Sequence, residues 1–293
     1  MSPVYDCTTE SGRAEGIAAA VEVVRDGGVV VLPTDTVYGI GADAFSPEAV
    51  ASVLAAKGRG REMPPPVLVP SVRTVDGLAT DIPEWARDLI REFWPGPLTL
   101  VFKAQSSLMW DLGDTNGTVA VRMPQDDTAL ALLTEVGPMA VTSANLTGQP
   151  PATTVTDAAA QLGASVAVYL DAGPTTSSEV STIIDCTGSE PEVLRLGAVT
   201  QQQIDAVMLA AQPVDEVQPL GVDEPTDDPT DESRDDPADE PTDGGGDQPA
   251  HQATDTPDEE PTDTPGAEPT QAIELSADPT TERTPADHPG ETR

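Results

Sequence analysis

The chain has 293 residues and a formal net charge of −37 at pH 7, and residues 213–293 carry −22 of that charge. This segment contains no Phe, Trp or Tyr, so it has too little apolar surface to offset the entropy lost on folding. We expect 213–293 to be a disordered acidic tail rich in Pro, Thr, Asp and Glu. Both histidines, His251 and His288, lie in it. A Ser-His-Asp triad, a histidine base and a histidine-ligated zinc are therefore excluded from the remaining domain.

The location of the protein is also constrained by composition. The N-terminus lacks the basic flank and apolar run of a secretory signal, and no stretch approaches the roughly 20 apolar residues that span a bilayer. The two cysteines, Cys7 and Cys186, cannot form a disulfide framework. We expect a cytoplasmic protein with reduced thiols and no membrane association.

The hydrophobic pattern predicts helices that alternate with strands. A helix over 11–26 precedes an uninterrupted apolar run over 29–32, which is typical of a strand buried on both faces. Ser46 and Pro47 predict the start of a helix that ends at Lys57. The later predicted strands are 67–69, 98–102, 119–123, 139–142, 166–170, 182–185 and 193–195, and the later helices are 83–93, 127–135, 156–162 and 201–209. This order predicts an α/β fold with a mixed sheet.

Two loops that follow predicted strands combine hydroxyl and amide side chains. Thr34 and Thr36 leave the strand over 29–32, where sites in open α/β sheets commonly lie. Ser143 and Asn145 follow the strand over 139–142 and could hold ribose, phosphate or carboxylate without adding charge. Turns without a ligand remain the alternative for both loops.

Three cations are concentrated in one loop. Lys57, Arg59 and Arg61 fall within five positions of a Gly- and Pro-rich segment, although residues 1–212 contain only 11 basic residues. Such a cluster suits a polyanion such as a triphosphate. The alternative is a solvated helix C-terminus, where cations interact favourably with the helix dipole.

Polar side chains also occur within later strands or next to them. Arg122 and Arg195 each lie in a largely apolar strand, where an unpaired guanidinium would be costly to bury. Each therefore needs an anionic partner, either an internal carboxylate or a bound ligand. Thr99 and Ser181 add hydroxyls that could face the same ligand.

Three common catalytic motifs are absent from the sequence. It contains no Gly-x-x-x-x-Gly-Lys-Ser/Thr loop and no Gly-x-Gly-x-x-Gly segment, so any nucleotide is bound by another device. The absence of Gly-x-Ser-x-Gly argues against a serine hydrolase.

Six segments, taken together, resemble the YrdC/Sua5 family of threonylcarbamoyl-AMP synthases. They are Pro-Thr-Asp-Thr-Val-Tyr-Gly-Ile-Gly from Pro33, Lys-Gly-Arg from Lys57, Trp-Pro-Gly-Pro-Leu-Thr from Trp94, Val-Arg-Met-Pro from Val121, Thr-Ser-Ala-Asn-Leu-Thr-Gly from Thr142 and Ser-Thr-Ile-Ile-Asp from Ser181. Each is weak alone, but the six occur in the family's order. The resemblance implies one YrdC-like domain over 12–208, with a twisted sheet of parallel and antiparallel strands around a large concave cavity.

The resemblance also implies an activity. The family condenses L-threonine, bicarbonate and ATP to threonylcarbamoyl-AMP and pyrophosphate, a nucleotidyltransferase reaction. A separate transferase complex then modifies N6 of adenosine 37 in tRNA, and tRNA itself is a further candidate partner. Mg²⁺ would arrive with ATP, and no organic prosthetic group or protein-held metal is expected.

Residue roles follow by the same resemblance. Lys57, Arg59 and Arg122 would be catalytic. ATP would contact Lys57, Arg59, Arg61, Thr99, Ser143, Asn145 and Arg195, and threonine would contact Thr34, Thr36, Arg122 and Ser181. The sequence departs from the family's pattern after Arg59, where many members continue with Pro and a His- or Asn-Pro-Leu stretch. It also carries the acidic tail where longer members have a second folded domain.

Two other functions compete with this interpretation. An RNA-binding module of the same fold would use a basic concave surface, but residues 1–212 carry about −15 and no interleaved aromatic residues for base stacking. A carbamoyl-adenylating paralogue of hydrogenase maturation would carry acylphosphatase and zinc-finger segments, and this sequence has neither.

Overall fold

The computed structural model describes residues 2–175 and 178–211. The predicted disordered tail, 213–293, lies outside the described residues. The α-helices of the described part are α1 (Glu10–Arg25), α2 (Pro47–Lys57), α3 (Val72–Leu78), α4 (Glu84–Phe93), α5 (Asp127–Val136), α6 (Val155–Leu162) and α7 (Gln201–Ala210). The strands are β1 (Val4–Asp6), β2 (Val30–Leu32), β3 (Gly39–Asp43), β4 (Val67–Leu68), β5 (Ala79–Thr80), β6 (Leu98–Ala104), β7 (Thr118–Arg122), β8 (Met139–Ser143), β9 (Val168–Asp171), β10 (Thr182–Asp185) and β11 (Glu192–Arg195).

These strands form one mixed sheet in the order β1-β9-β2-β3-β8-β4-β7-β6-β10-β11, and β5 pairs with β6. The pairs β1 with β9, β9 with β2, β4 with β7 and β6 with β10 are parallel. The other pairs are antiparallel. The predicted α/β fold with a mixed sheet is confirmed.

Strand β2 shows why the apolar run at its position is continuous. Val30 and Leu32 pack into a core that includes residues of α1 and α5, and Val31 packs into a second core with residues of α2 and α6. All three residues are buried. A strand covered on both faces needs apolar side chains on both, so the expectation for 29–32 is confirmed.

Helix α2 follows its predicted boundaries. The Ser46 hydroxyl accepts a hydrogen bond from the amide of Ala49, and Pro47 occupies the first helical turn. The helix ends at Gly58, which adopts the left-handed conformation with φ of 60°. A residue without a side chain adopts this conformation at little cost, so the chain can turn sharply after Lys57.

Several short elements were not predicted, namely β1, β3, α3 and β5. Strand β3 was obscured by Gly39 and Gly41, because glycine is a poor strand former. These glycines have a packing reason, since a Cβ atom on Gly41 would lie 2.6 Å from Cγ2 of Val141 on β8. The loop from Pro33 therefore connects two adjacent antiparallel strands, which is the geometry expected of a turn between strands.

None of the helices in residues 2–175 and 178–211 has the length and apolar character of a membrane span.

Candidate functional site

The middle of the sheet borders an open cavity of about 330 Å³. The β2–β3 loop, the loop after α2, and residues of β6, β7, β8, β10 and β11 contribute to its wall. Five of the hydroxyl residues predicted for the site line it: Thr34, Thr36, Thr99, Ser143 and Ser181. Three predicted arginines, Arg59, Arg122 and Arg195, line it as well. Long-range strand pairing thus brings together residues that are far apart in sequence.

The hydroxyls form two hydrogen-bonded pairs. The Oγ1 atoms of Thr34 and Thr36 lie 3.0 Å apart, and the Thr34 hydroxyl donates to the carbonyl of Val37 at 2.6 Å. Oγ1 of Thr99 lies 2.9 Å from Oγ of Ser181, a contact made possible by the parallel pairing of β6 and β10. Each pair offers oriented polar atoms to a small ligand.

The guanidinium of Arg122 has an internal carboxylate partner. Only 6% of this residue is exposed, and its Nη2 donates to Oδ1 of Asp35 at 2.6 Å. Its Nη1 donates to Oγ1 of Thr36 and its Nε to the carbonyl of Gly96, both at 3.0 Å. Burial lowers the pKa of Arg122, and the adjacent Asp35 opposes this effect. The sequence left open whether the anionic partner of Arg122 is an internal carboxylate or a bound ligand. In the fold, the partner is the carboxylate of Asp35.

Asp35 is the functional residue that our sequence reasoning missed. Its Oδ1 accepts both the Arg122 guanidinium and the amide of Gln125, the latter at 2.8 Å. Its Oδ2 is buried and has no hydrogen-bond partner among the described residues. The signal was present in the sequence, since a buried Arg required an acid and Asp35 lies between two predicted site threonines.

The other two arginines make the cavity electropositive. Arg195 donates to the carbonyl of Ser181 at 2.8 Å and to its hydroxyl at 3.1 Å, which are neutral acceptors. Burial lowers the pKa of Arg195, and the positive charges of Arg122 and Arg59 lower it further. Arg59 donates to Oγ1 of Thr142 at 3.0 Å, and its buried Nε has no partner in the described part of the chain. Mutually repelling cations around one cavity favour an anionic ligand.

Lys57 and Asn145 are buried and are not among the residues that line the cavity. Only 3% of Lys57 is exposed, and its Nζ donates to the carbonyls of Ser143 and Asn145. The amide of Asn145 donates to the carbonyls of Leu146 and Gln149, each at 2.8 Å. Burial lowers the pKa of Lys57 to about 8, with a smaller contribution from the Arg59 charge.

Arg61 lies on the surface and points away from the cavity. Its guanidinium forms ion pairs with Asp111 at 2.8 Å and Asp114 at 3.5 Å. These carboxylates raise the pKa of Arg61. The expectation that Arg61 joins Arg59 in a triphosphate site finds no geometric support, because its side chain is directed to another loop.

The donor set does not resemble a protein-held metal centre. Across residues 2–175 and 178–211, no three His, Cys, Asp or Glu side chains are grouped closely enough to hold a metal ion. The cavity offers hydroxyls and arginines, which fit the phosphate oxygens of a metal-bound nucleotide better than the metal itself.

The lowered pKa of Lys57 predicts that its own contribution to stability rises with pH above about 8. The unfolded chain keeps the ordinary pKa of 10.5, so it binds more protons than the folded chain between about pH 8 and 10.5. Taken alone, this group should raise the free energy of unfolding there by up to about 1.4 kcal/mol per pH unit. Burial raises the pKa of the Cys7 and Cys186 thiols above their ordinary value of 9.0, so these groups lower the stability of the wild type and of Lys57→Met alike at higher pH. In urea unfolding from pH 7 to 10, the free energy of unfolding of the wild type minus that of Lys57→Met should therefore increase with pH. A constant difference would contradict the prediction.

Comparison with known proteins identifies the family. The Sua5/YciO/YrdC family model, described as "Telomere recombination", matches residues 22–197. The chain belongs to this family. A Mycobacterium tuberculosis (strain H37Rv) protein is 54% identical over 208 residues, which are 71% of this chain and 96% of that protein. The name given to that protein is threonylcarbamoyl-AMP synthase, as a provisional assignment.

Two further relatives extend well beyond the matched region. The Bacillus subtilis threonylcarbamoyl-AMP synthase is 40% identical over 195 residues, and the match covers 66% of this chain and 56% of that protein. Pyrococcus abyssi Sua5, solved in complex with L-threonine, superposes with a TM-score of 0.68 at 34% identity. That superposition covers 71% of this chain and 61% of the Sua5 chain.

Proposed function

We propose that this protein is a threonylcarbamoyl-AMP synthase, a nucleotidyltransferase that condenses L-threonine, bicarbonate and ATP to threonylcarbamoyl-AMP and pyrophosphate. The observation that carries the proposal is the convergence of Arg59, Arg122 and Arg195 with paired hydroxyls on one cavity. Family membership and relatives that bear this enzyme name support the same activity. We assign it to the domain over 12–208.

Arg59 and Arg195 are suited to the triphosphate. Both guanidinium groups hydrogen-bond only to neutral oxygens among the described residues. The Glu62 carboxylate acts on Arg59 through space and partly offsets its charge, whereas Arg195 is flanked by the cations Arg122 and Arg59. A planar guanidinium can donate two parallel hydrogen bonds to phosphate oxygens. Ser143 and Thr99 line the same wall and would hold nucleotide oxygens.

Threonine would bind beside the two hydroxyl pairs. We propose that Thr34, Thr36 and Ser181 orient its polar groups and that Arg122 directs it toward the ATP α-phosphate. Arg122 is held by Asp35, Thr36 and Gly96, so its position is fixed before substrate enters. Such preorganisation lowers the entropic cost of aligning the reactants.

The chemistry needs little from a protein base. The threonine amine and bicarbonate form the carbamate with loss of water. A carbamate oxygen then attacks the α-phosphate and pyrophosphate leaves, so the chain must align the reactants and neutralise developing negative charge. The arginines provide that charge, and no histidine is required. We propose that Mg²⁺ enters bound to ATP and supplies further charge neutralisation on the phosphate oxygens.

Pyrophosphate release tests the proposal directly. The purified protein should release pyrophosphate from ATP only when L-threonine and bicarbonate are both present, because the nucleophile forms from these two substrates. Release without threonine would count against the assignment, as would activity that requires carbamoyl phosphate in place of threonine and bicarbonate. A steep salt dependence of tRNA binding without ATP turnover would instead favour an RNA-binding module.

The product requires a separate acceptor reaction. We propose that a tRNA-modifying transferase complex takes up threonylcarbamoyl-AMP and transfers its acyl group to adenosine 37 of tRNA. A cytoplasmic location follows from this proposal.

A further inference from the structure

The ammonium of Lys57 is enclosed by oxygen atoms of one loop. Its acceptors are the carbonyl of Ser143, the carbonyl of Asn145 at 2.7 Å and Oδ1 of Asn145 at 3.5 Å. An ammonium has three N–H donors, and the two carbonyls engage two of them at hydrogen-bond distance. The third faces Oδ1 of Asn145, and the 3.5 Å separation makes this the weakest of the three contacts. The ammonium is therefore directed at this loop, and only 3% of Lys57 is exposed.

A backbone hydrogen bond also connects the end of α2 to the loop that follows Ser143. The amide of Thr147 donates to the carbonyl of Lys57 at 2.9 Å, so the loop and the end of α2 hold each other through both side chain and main chain. The Asn145 side chain closes this loop on itself through Leu146 and Gln149. Residues 143–149 are thus anchored to α2 at Lys57.

The anchored loop forms part of the cavity wall. Ser143 lines the cavity, whereas Lys57 is buried and is not among the residues that line it. The ammonium bonds directly to the Ser143 carbonyl, so its removal would free the backbone that sets the direction of the Ser143 side chain.

We propose that Lys57 is a positioning residue that fixes the Ser143–Asn145 segment against α2 and does not bind the triphosphate itself. This inference rests on the proposed function of the cavity. It replaces the direct triphosphate contact that the family resemblance implied for Lys57.

Chemical labelling of the unmodified full-length protein tests where the ammonium lies. The chain contains only two lysines, Lys57 and Lys103, and the Lys103 side chain is 52% exposed. Acetylation followed by peptide mass spectrometry should label Lys57 at least about tenfold more slowly than Lys103, because Lys57 reacts only after local opening. The ratio should be the same with and without ATP. Rapid labelling of Lys57 that ATP suppresses would overturn the proposal.

A double-mutant cycle tests whether Lys57 acts through Ser143. Lys57→Met should lower kcat/KM about 100-fold, since small misplacements in a site have effects of this size. In a Ser143→Ala background, the same change should cost less than about threefold, because effects that share one mechanism are not additive. Equal losses in both backgrounds would overturn the proposal.

Two controls separate this inference from folding and from the proposed function. Lys57→Gln keeps two N–H donors and should recover part of the activity, and it replaces Lys57→Met in the cycle if the Met variant does not unfold cooperatively. If the wild type releases no pyrophosphate in response to threonine and bicarbonate, the proposed function fails. The labelling result still decides the placement of Lys57 in that case.

Discussion

Replacing Asp35 by alanine is expected to lower the free energy of unfolding by about 3–5 kcal/mol, the usual cost of leaving a buried charge without its partner. Arg122 is 6% exposed, and its ion pair with Asp35 at 2.6 Å is its only salt bridge within the described residues. The variant would leave a guanidinium in the interior with neutral acceptors only. Urea unfolding monitored by circular dichroism measures the loss.

Two control variants make this result specific. Asp35→Asn keeps the shape and one acceptor oxygen, so it should be less destabilising than Asp35→Ala. Asp76→Ala removes the exposed ion pair with Arg87, 3.1 Å long, and should cost less than about 1 kcal/mol. If Asp35→Ala unfolds at the same urea concentration as Asp76→Ala, the carboxylate does not balance Arg122 in the folded protein.

Arg59→Ala is expected to lower kcat/KM for threonylcarbamoyl-AMP formation by about two to three orders of magnitude. A loss of this size is typical when an enzyme loses one preorganised hydrogen-bond donor that stabilises negative charge in the transition state. Arg59 lines the cavity, and its buried Nε has no partner in the described residues, so its removal should affect ligand binding more than folding. Steady-state pyrophosphate release and thermal unfolding together distinguish the two effects.

The matched control for Arg59 is Arg73→Ala. Arg73 is exposed on α3, so this variant changes the net charge equally without touching the cavity, and its activity should match the wild type. Arg59→Lys restores the charge but not the planar fork of donors, and we expect only partial recovery. Wild-type activity in Arg59→Ala would remove this residue from the site.

Patterns that depend on local chemistry were read correctly from the sequence. The continuous apolar run of β2 and the Ser46 cap with Pro47 on α2 each follow from short-range rules. Strand β3 was missed because its glycines argue against a strand. Their reason lies on β8, about 100 residues away in sequence, where Val141 packs against the bare backbone.

The sequence predicted many of the residues that line the cavity, but not the directions of their side chains. Lys57, Arg59 and Arg61 are close in sequence, which suggested one common target. The left-handed turn at Gly58 separates them: Lys57 lies with the helix, Arg59 faces the cavity and Arg61 pairs with Asp111. Sequence spacing does not determine side-chain direction in an irregular loop, so this separation required the fold.

The strand order has a consequence for the newly made protein. The β2–β3 loop with Thr34 and the β11 residue Arg195 come from opposite parts of the chain, and the cavity exists only after β8, β4, β7, β6 and β10 have joined between them. An incomplete sheet presents no assembled pocket of guanidinium groups. A nascent chain that ends before β11 therefore lacks Arg195 and cannot complete this wall of the cavity.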